Sequence, residues 1–286
     1  MTPLATVLIP AWNEGNVIAS LLTRLSRAAS EGHLRVIVIA NACTDDTAEV
    51  ARKANPSTLV LETAEGGKAN AMNLGYKSAE PGIPVVCIDA DLVVTADDIL
   101  ALITPLINGT SHASCGQMVP DVDGSSWAVR AFYNAWALNS YFAKGKFGGM
   151  FALSAQGAAR IFPLPRVTAD DEWVRRAFAP TERAYVSGSR FFFARAPKDL
   201  ATLIRLRRRS LRGARAVRAV VGQTASENSV GTMLSQALRR PDLWPGMVIY
   251  IAVMGIVRWQ LQRETPDTQL VWERDTGNRT TGVRLK

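Results

Sequence analysis

Two aspartates separated by a single residue, Asp89-Ala90-Asp91, follow directly on a short apolar run at residues 85–88 (VVCI). Paired carboxylates at the end of a strand can meet a hard divalent cation. Mg²⁺ and Mn²⁺ take oxygen ligands, keep waters and bind through substrate phosphates. An Asp-x-Asp by itself serves equally as a turn or a cap, so the pair needs company. Three segments supply it: Pro10-Ala11-Trp12-Asn13-Glu14, Asn41-Ala42-Cys43-Thr44-Asp45-Asp46-Thr47 and the ten residues from Gly66 to Gly75. Each comes just after a short apolar run. They offer an aromatic face in Trp12, amide and carboxylate groups in Asn13, Asn41 and Asp45, and a cation in Lys68.

The elements that must position these residues are legible in the first hundred positions. Apolar runs at 5–10, 36–40, 58–61 and 85–88 alternate with helix-like stretches, the first at 17–29 with Ile18, Leu21, Leu22 and Leu25 on one face. Such alternation predicts an α/β fold with a parallel sheet covered on both faces. Ligands bind such sheets at the carboxyl ends of the strands, where all four polar segments fall. Beyond about residue 110 the alternation breaks down. Strands are expected at 114–119, 147–153 and 190–194, an aromatic helix at 127–142 and a helix start at 168–178.

These residues together resemble the inverting GT-A glycosyltransferases of family 2. Their usual elements are Pro-Ala-Tyr-Asn-Glu after the first strand, Asp-Asp-Gly-Ser-Thr-Asp after the second, Gly-Lys-x-x-Ala-Leu-Asn-x-Gly and Asp-x-Asp. The resemblance covers roughly residues 5–215. It implies a Rossmann-like, mostly parallel central sheet, with a nucleotide-binding half at 1–110, an acceptor half at 111–215 and a helical extension at 216–286. It also implies a nucleoside-diphosphate sugar donor, a carbohydrate or lipid-linked acceptor, and Mn²⁺ or Mg²⁺ held by Asp89 and Asp91. The implied substrate contacts are Pro10, Ala11, Trp12, Asn13, Glu14, Asn41, Asp45, Lys68, Asn73, Asp89, Ala90 and Asp91, with Gly148 and Gly149 beneath the sugar and Arg209 on the diphosphate. In relatives, the second of two acids at a helix start deprotonates the acceptor hydroxyl. Asp171 matches that position and Asp170 is the fallback, although Thr168-x-x-Asp171 also fits a helix capping box.

Departures from the pattern bear on specificity. Trp12 replaces the usual Tyr and keeps a stacking face. Asn41 falls on the Asp that in relatives accepts a hydrogen bond from uracil, and an amide can donate as well as accept. A UDP-sugar is favoured, with guanine and thymine nucleotides left open. Leu206 and Ser210 stand where processive relatives have Gln and Trp, which argues against a long-chain polymerase.

Other classes are weaker. No Gly-x-Gly-x-x-Gly follows the first strand, and Gly66-Gly67-Lys68 lacks the flanks of a P-loop. A sugar-1-phosphate nucleotidyltransferase would carry a Gly-rich basic loop after the first strand. The net charge of +8 points to an anionic partner, and seven arginines crowd into 205–218. A nucleic-acid or membrane module built on them leaves the ordered motifs unexplained, and no nucleic-acid partner is expected. Three scattered cysteines and a start without a leader pattern suggest a cytoplasmic protein. Residues 243–257 form an uncharged apolar run, short of the ~20 residues that span a bilayer. It fits a core helix, a homodimer seam or, with Trp244 and Trp259 at its ends, a helix lying peripherally on an anionic membrane surface.

Overall fold

The computed structural model describes residues 2–139, 147–167, 169–186, 192–221 and 230–264. In order, the elements are β1 (Ala5–Ala11), α1 (Gly15–Ser30), β2 (Leu34–Asn41), α2 (Thr47–Ala54), β3 (Leu59–Thr63), α3 (Lys68–Lys77), β4 (Val85–Ile88) and α4 (Ala96–Ile107). There follow β5 (Ala113–Gly116), β6 (Met118–Asp121), α5 (Trp127–Trp136), β7 (Met150–Leu153), α6 (Ala155–Ile161), α7 (Asp170–Ala177), β8 (Arg183–Val186) and β9 (Phe192–Arg195). The last helices are α8 (Leu200–Val221), α9 (Val230–Leu238) and α10 (Trp244–Gln262). The described residues fall into two compact units: those within Met1–Val119 and Gly145–Ala194, and those within Pro120–Lys144 and Arg195–Thr280. A division at residue 215 would cut α8 in two.

The first unit is built on a seven-stranded sheet in the order β3-β2-β1-β4-β7-β5-β8. The strands β3, β2, β1 and β4 are mutually parallel, as expected, whereas β7 runs antiparallel to both of its neighbours. Every residue of β1 is buried, which is why its run reads as continuously apolar rather than alternating. Side chains of a strand alternate between faces. Leu8, Ile37, Ile39, Val85, Cys87, Cys115 and Phe151 share one face with Met72 of α3, Ile161 of α6 and Val174 of α7. Ser114 points to the other face, where its hydroxyl donates to the Leu102 carbonyl of α4 at 2.6 Å. The apolar stripe of α1, Ile18, Leu21, Leu22 and Leu25, is fully buried.

Two predicted strands come out differently. The run at 114–119 is split: the chain leaves the large sheet after Gly116, and β6 pairs with β9 in a separate two-stranded sheet. The run at 147–153 becomes strand only from Met150, because Gly149 has a φ of +83°, outside the extended range. The aromatic helix ends at Trp136, and the last residues of its expected span lie outside the described residues.

In the second unit, α10 packs on α5 and α8. The approach to α5 is close: a Cβ on Gly246 would stand 2.3 Å from the Ala131 carbonyl oxygen. Met247, Tyr250, Val253, Val257 and Leu261 form its buried stripe. Arg207 lies 3.7 Å from the Trp136 ring centroid, and Arg212 pairs with Glu264. The helix is longer than the apolar run in the sequence. With the short turn from Pro241 it makes 22 residues, long and apolar enough to cross a membrane, although only part of it is buried in the protein.

Candidate active site

The carboxyl ends of β1, β2, β3 and β4 lie along one edge of the sheet. β1 stays paired with β2 as far as Ala11 and Ala40, but its ladder with β4 ends at Leu8 and Cys87. The chain order also reverses here, with β2 on one side of β1 and β4 on the other. That arrangement opens a crevice beyond the strand ends. It also explains Pro10 in a central strand, since no ladder partner on the β4 side asks for its missing N–H.

On the β1–β2 side, the polar groups knit two loops together. Trp12 Nε1 donates to the Ala42 carbonyl at 3.2 Å. Asn13 is bonded twice to Thr44: its Nδ2 donates to Oγ1 at 3.1 Å and its Oδ1 accepts from the backbone N–H at 2.7 Å. The Glu14 N–H donates to the Thr47 hydroxyl at 2.8 Å. The Asp45 carboxylate accepts from the Gly15 and Thr47 backbones. Burial pushes that carboxyl up, but the Thr47 hydroxyl and the backbone donors outweigh it and hold it below its ordinary value. Asn13 and Ala42 have φ values of +53° and +48°. Left-handed backbone at a non-glycine residue is strained, most of all for Ala, and such strain gathers at functional sites.

Asn41 is buried, and its amide links strand to loop. Nδ2 donates to the Ala11 carbonyl at 2.7 Å, and Oδ1 accepts from the Gly67 N–H at 3.0 Å. The amide thus fixes Gly67, whose φ of +119° requires glycine, and so the start of α3. Gly75 seats the same helix, because a Cβ there would fall 2.7 Å from Ile39 Cδ1.

Lys68, the first residue of α3, sits between carboxylates from two other elements. Its Nζ lies 2.7 Å from Asp89 Oδ1 and 2.9 Å from Asp170 Oδ2. Burial works against the Lys68 charge, but Asp170 and Asp89 outweigh it and raise its pKa. Asp170 is nearly enclosed, and burial, more than Lys68 can offset, pushes its carboxyl up. Asp171 is half-buried, and one of its oxygens accepts from the Glu172 N–H at 2.8 Å. The cap position of α7 is Ala169, with no side-chain cap bond, and Thr168 lies outside the described residues. Asp91 is exposed at the rim and Ala90 is buried beneath it. The Asp89 N–H donates to the Gly149 carbonyl at 2.8 Å, which brings Gly148 and Gly149 beside the carboxylate pair.

Asn73 spends its amide on the backbone. Its Nδ2 donates to the Leu164 carbonyl at 2.9 Å, and the Leu164 N–H donates to its Oδ1 at 2.6 Å. One turn on, Tyr76 stacks on Phe162 at 4.2 Å between centroids. Arg209 is half-buried on α8, in the second unit. Sequence reasoning missed the Lys68–Asp170 pair and the Thr47 hydroxyl. The only signal for the former was an acid-rich helix start awaiting a counter-ion.

Among the described residues no three His, Cys, Asp or Glu side chains gather as a metal cage. Two carboxylates at a strand end fit a hard cation that takes its remaining ligands from a diphosphate and water. Asp91, facing solvent, and Asp89 have the chemistry for such a partial oxygen set.

Residues 6–160 match the family model described as glycosyl transferase family 2. An O-antigen chain rhamnosyltransferase of Salmonella anatum is 25% identical over 130 residues, 45% of this chain and 41% of that one. A dolichol-phosphate mannosyltransferase of Pyrococcus furiosus is 28% identical over 125 residues, 43% of this chain and 35% of that one. The matched part thus spans about two fifths of the length of these curated relatives. Among solved structures, a mannosyltransferase of Pyrobaculum calidifontis in complex with GDP-mannose and Mn²⁺ aligns with a TM-score of 0.59 and 23% identity, over 94% of this chain and 79% of that one. Glucosyl-3-phosphoglycerate synthase of Mycobacterium tuberculosis, in complex with Mn²⁺, UDP and glucosyl-3-phosphoglycerate, aligns with a TM-score of 0.55 and 16% identity, over 78% and 82%. At these identities the likeness is one of fold, and that fold is the GT-A arrangement.

Proposed function

The chain belongs to glycosyl transferase family 2, and from that premise we propose that it transfers a sugar from a nucleoside-diphosphate donor to an acceptor hydroxyl, with inversion at the anomeric carbon. The observation that carries this reading is the meeting of Asp89, Lys68 and Asp170 at the sheet edge that also carries the Trp12 loop. Trp12 offers a half-buried ring for the base to stack on, and the knitted loops hold the ribose side. Asp91 and Asp89 would hold Mn²⁺ or Mg²⁺, which when bound offsets the charge growing on the departing diphosphate. Lys68 adds positive charge at the same place.

Asp171 is the base in this reading. Asp170 is enclosed and tied to Lys68, whereas Asp171 is only half-buried. It takes the proton of the acceptor hydroxyl as that oxygen attacks the anomeric carbon from the face opposite the diphosphate, the bond to which breaks. The Gly148-Gly149 turn, bonded to Asp89 through its backbone, presents no side chain against the sugar. Asn41 spends one bond from each end of its amide on the backbone, so discrimination among bases falls to the rest of the loop. A UDP-sugar is favoured and GDP- and dTDP-sugars remain to be compared. Incubation with each donor and candidate acceptors, with the anomeric coupling read by NMR, tests this directly. Retention of configuration would sink the single-displacement mechanism.

A membrane contact is part of the proposal, supported by the outer face of α10. Trp244, Val248, Ile251, Ile256 and Trp259 are exposed along it at helical spacing. Arg263 stacks over Trp259 at 3.9 Å, and Arg205, Arg215 and Arg218 are exposed on α8. Apolar residues ended by tryptophans and bordered by arginines suit an anionic lipid surface. That placement favours a lipid-linked acceptor.

A further inference from the structure

Lys68 holds a position that a simple phosphate-binding lysine does not need. Its backbone is fixed from two sides, by Asn41 on the Gly67 N–H and by Gly75 against Ile39. Its side chain is 24% exposed, and its ammonium is shared between Asp89, at 37% exposure, and Asp170, at 8%. One of these carboxylates belongs to the pair assigned to the cation. The other is next in sequence to the assigned base. A divalent ion drawn to Asp89 therefore meets an ammonium already in contact with it. Like charges repel strongly at such range in a partly buried site.

We propose that Lys68 is a resident counter-ion, which holds Asp89 while no donor is bound and turns to the diphosphate when donor arrives. The divalent cation and the nucleotide then bind as one unit, because the diphosphate relieves Asp89 of its ammonium and supplies ligands to the cation at the same moment. Lys68 keeps Asp170 throughout, so loading the donor is felt at the helix that carries Asp171. This inference rests on the assignment of Asp89 and Asp91 to the cation.

The test is Mn²⁺ binding by the full-length protein, read from the EPR signal of free Mn²⁺, alone and with UDP or GDP. Wild type is expected to bind Mn²⁺ weakly alone and at least tenfold more tightly with the matching nucleotide. Lys68→Met should tighten Mn²⁺ binding without nucleotide about tenfold and shrink the gain from nucleotide. Lys68→Arg, which keeps the cation, should behave like wild type. Because Lys68→Met strands the buried Asp170, the double variant Lys68→Met with Asp170→Asn is measured beside it, and the same tightening is expected there. If Mn²⁺ binding without nucleotide is unchanged or weaker in both Met variants, Lys68 does not compete for Asp89 and the proposal fails. Asp91→Asn in the same assay reports separately on the cation site: Mn²⁺ binding that survives it overturns that assignment and, with it, the premise of this inference.

Discussion

The amide of Asn73 grips the backbone of Leu164 at two points, 2.9 and 2.6 Å long, across 91 positions of sequence. The grip joins α3, which begins with Lys68, to the segment leading into α7, which begins with Asp170. One helix therefore sets the places of both the shared cation and the acid pair. Asn73→Leu keeps the size of the side chain but leaves a backbone N–H and carbonyl unpaired, a cost of about 1–3 kcal/mol. A denaturant melt should show that loss, and steady-state kinetics should show kcat falling more than the donor KM rises. An unchanged melt with unchanged kcat would mean that the clamp positions nothing.

Asp171→Asn should cut turnover by roughly 10²–10⁴, the usual scale for a positioned base, while nucleotide affinity stays near wild type. Asp170→Asn should act differently, through Lys68 and the stability of α7. Isothermal titration with UDP or GDP and a turnover assay on both variants separate the roles. The assignment reverses if Asp170→Asn loses turnover on that scale and Asp171→Asn does not.

Glu172, beside the base, gives the fold an acid-sensitive point. Burial favours its neutral form, but hydrogen bonds and charges from Arg175 and Arg176 outweigh that and lower its pKa. A carboxyl lowered on folding stabilises the native state above its unfolded pKa of about 4.3, and that contribution is lost as pH falls through the lower folded value. The melting temperature should therefore drop below about pH 4 in wild type, and Glu172→Gln should start lower at neutral pH and lose less on acidification. Parallel pH profiles for the two proteins would remove Glu172 from this account.

Flotation with liposomes addresses α10. Binding should require anionic lipid and fall only partly at high salt, since screening weakens the arginines and not the apolar face. Replacing Ile251 and Ile256 together by Glu should leave binding that salt abolishes. A protein that ignores anionic liposomes and is instead a stable dimer, split by those two changes, would show the face to be a subunit seam.

Much of the frame could be read before the structure. Residues 85–88 were expected as a strand and are β4 to the residue, because a fully buried parallel strand has to be a short apolar run bounded by polar turns. The 190–194 strand was placed within a few positions of β9. Local patterns could not show that β7 inserts antiparallel between β4 and β5, or that β8, half-buried throughout, closes the sheet edge. The motifs put Asn41, Asn73 and Lys68 near the donor, and all three lie around the start or on the body of α3. What they bond to was hidden, since Gly67, Leu164 and Asp170 are distant in sequence and only the folded chain brings them within reach. The Arg-rich stretch shows the same limit, since its partners are distant in sequence: Arg207 stacks on Trp136 and Arg212 pairs with Glu264.

The central claim, that sugar transfer depends on a cation held by Asp89 and Asp91, is tested most directly by nucleotide release. Wild type and Asp91→Asn would be given UDP-, GDP- and dTDP-sugars over a range of Mn²⁺ concentrations. The account predicts Mn²⁺-dependent release from one donor class by wild type and at least a hundredfold loss in the variant, with an unchanged melting temperature. Release by Asp91→Asn at near-normal rate across all Mn²⁺ concentrations would contradict it.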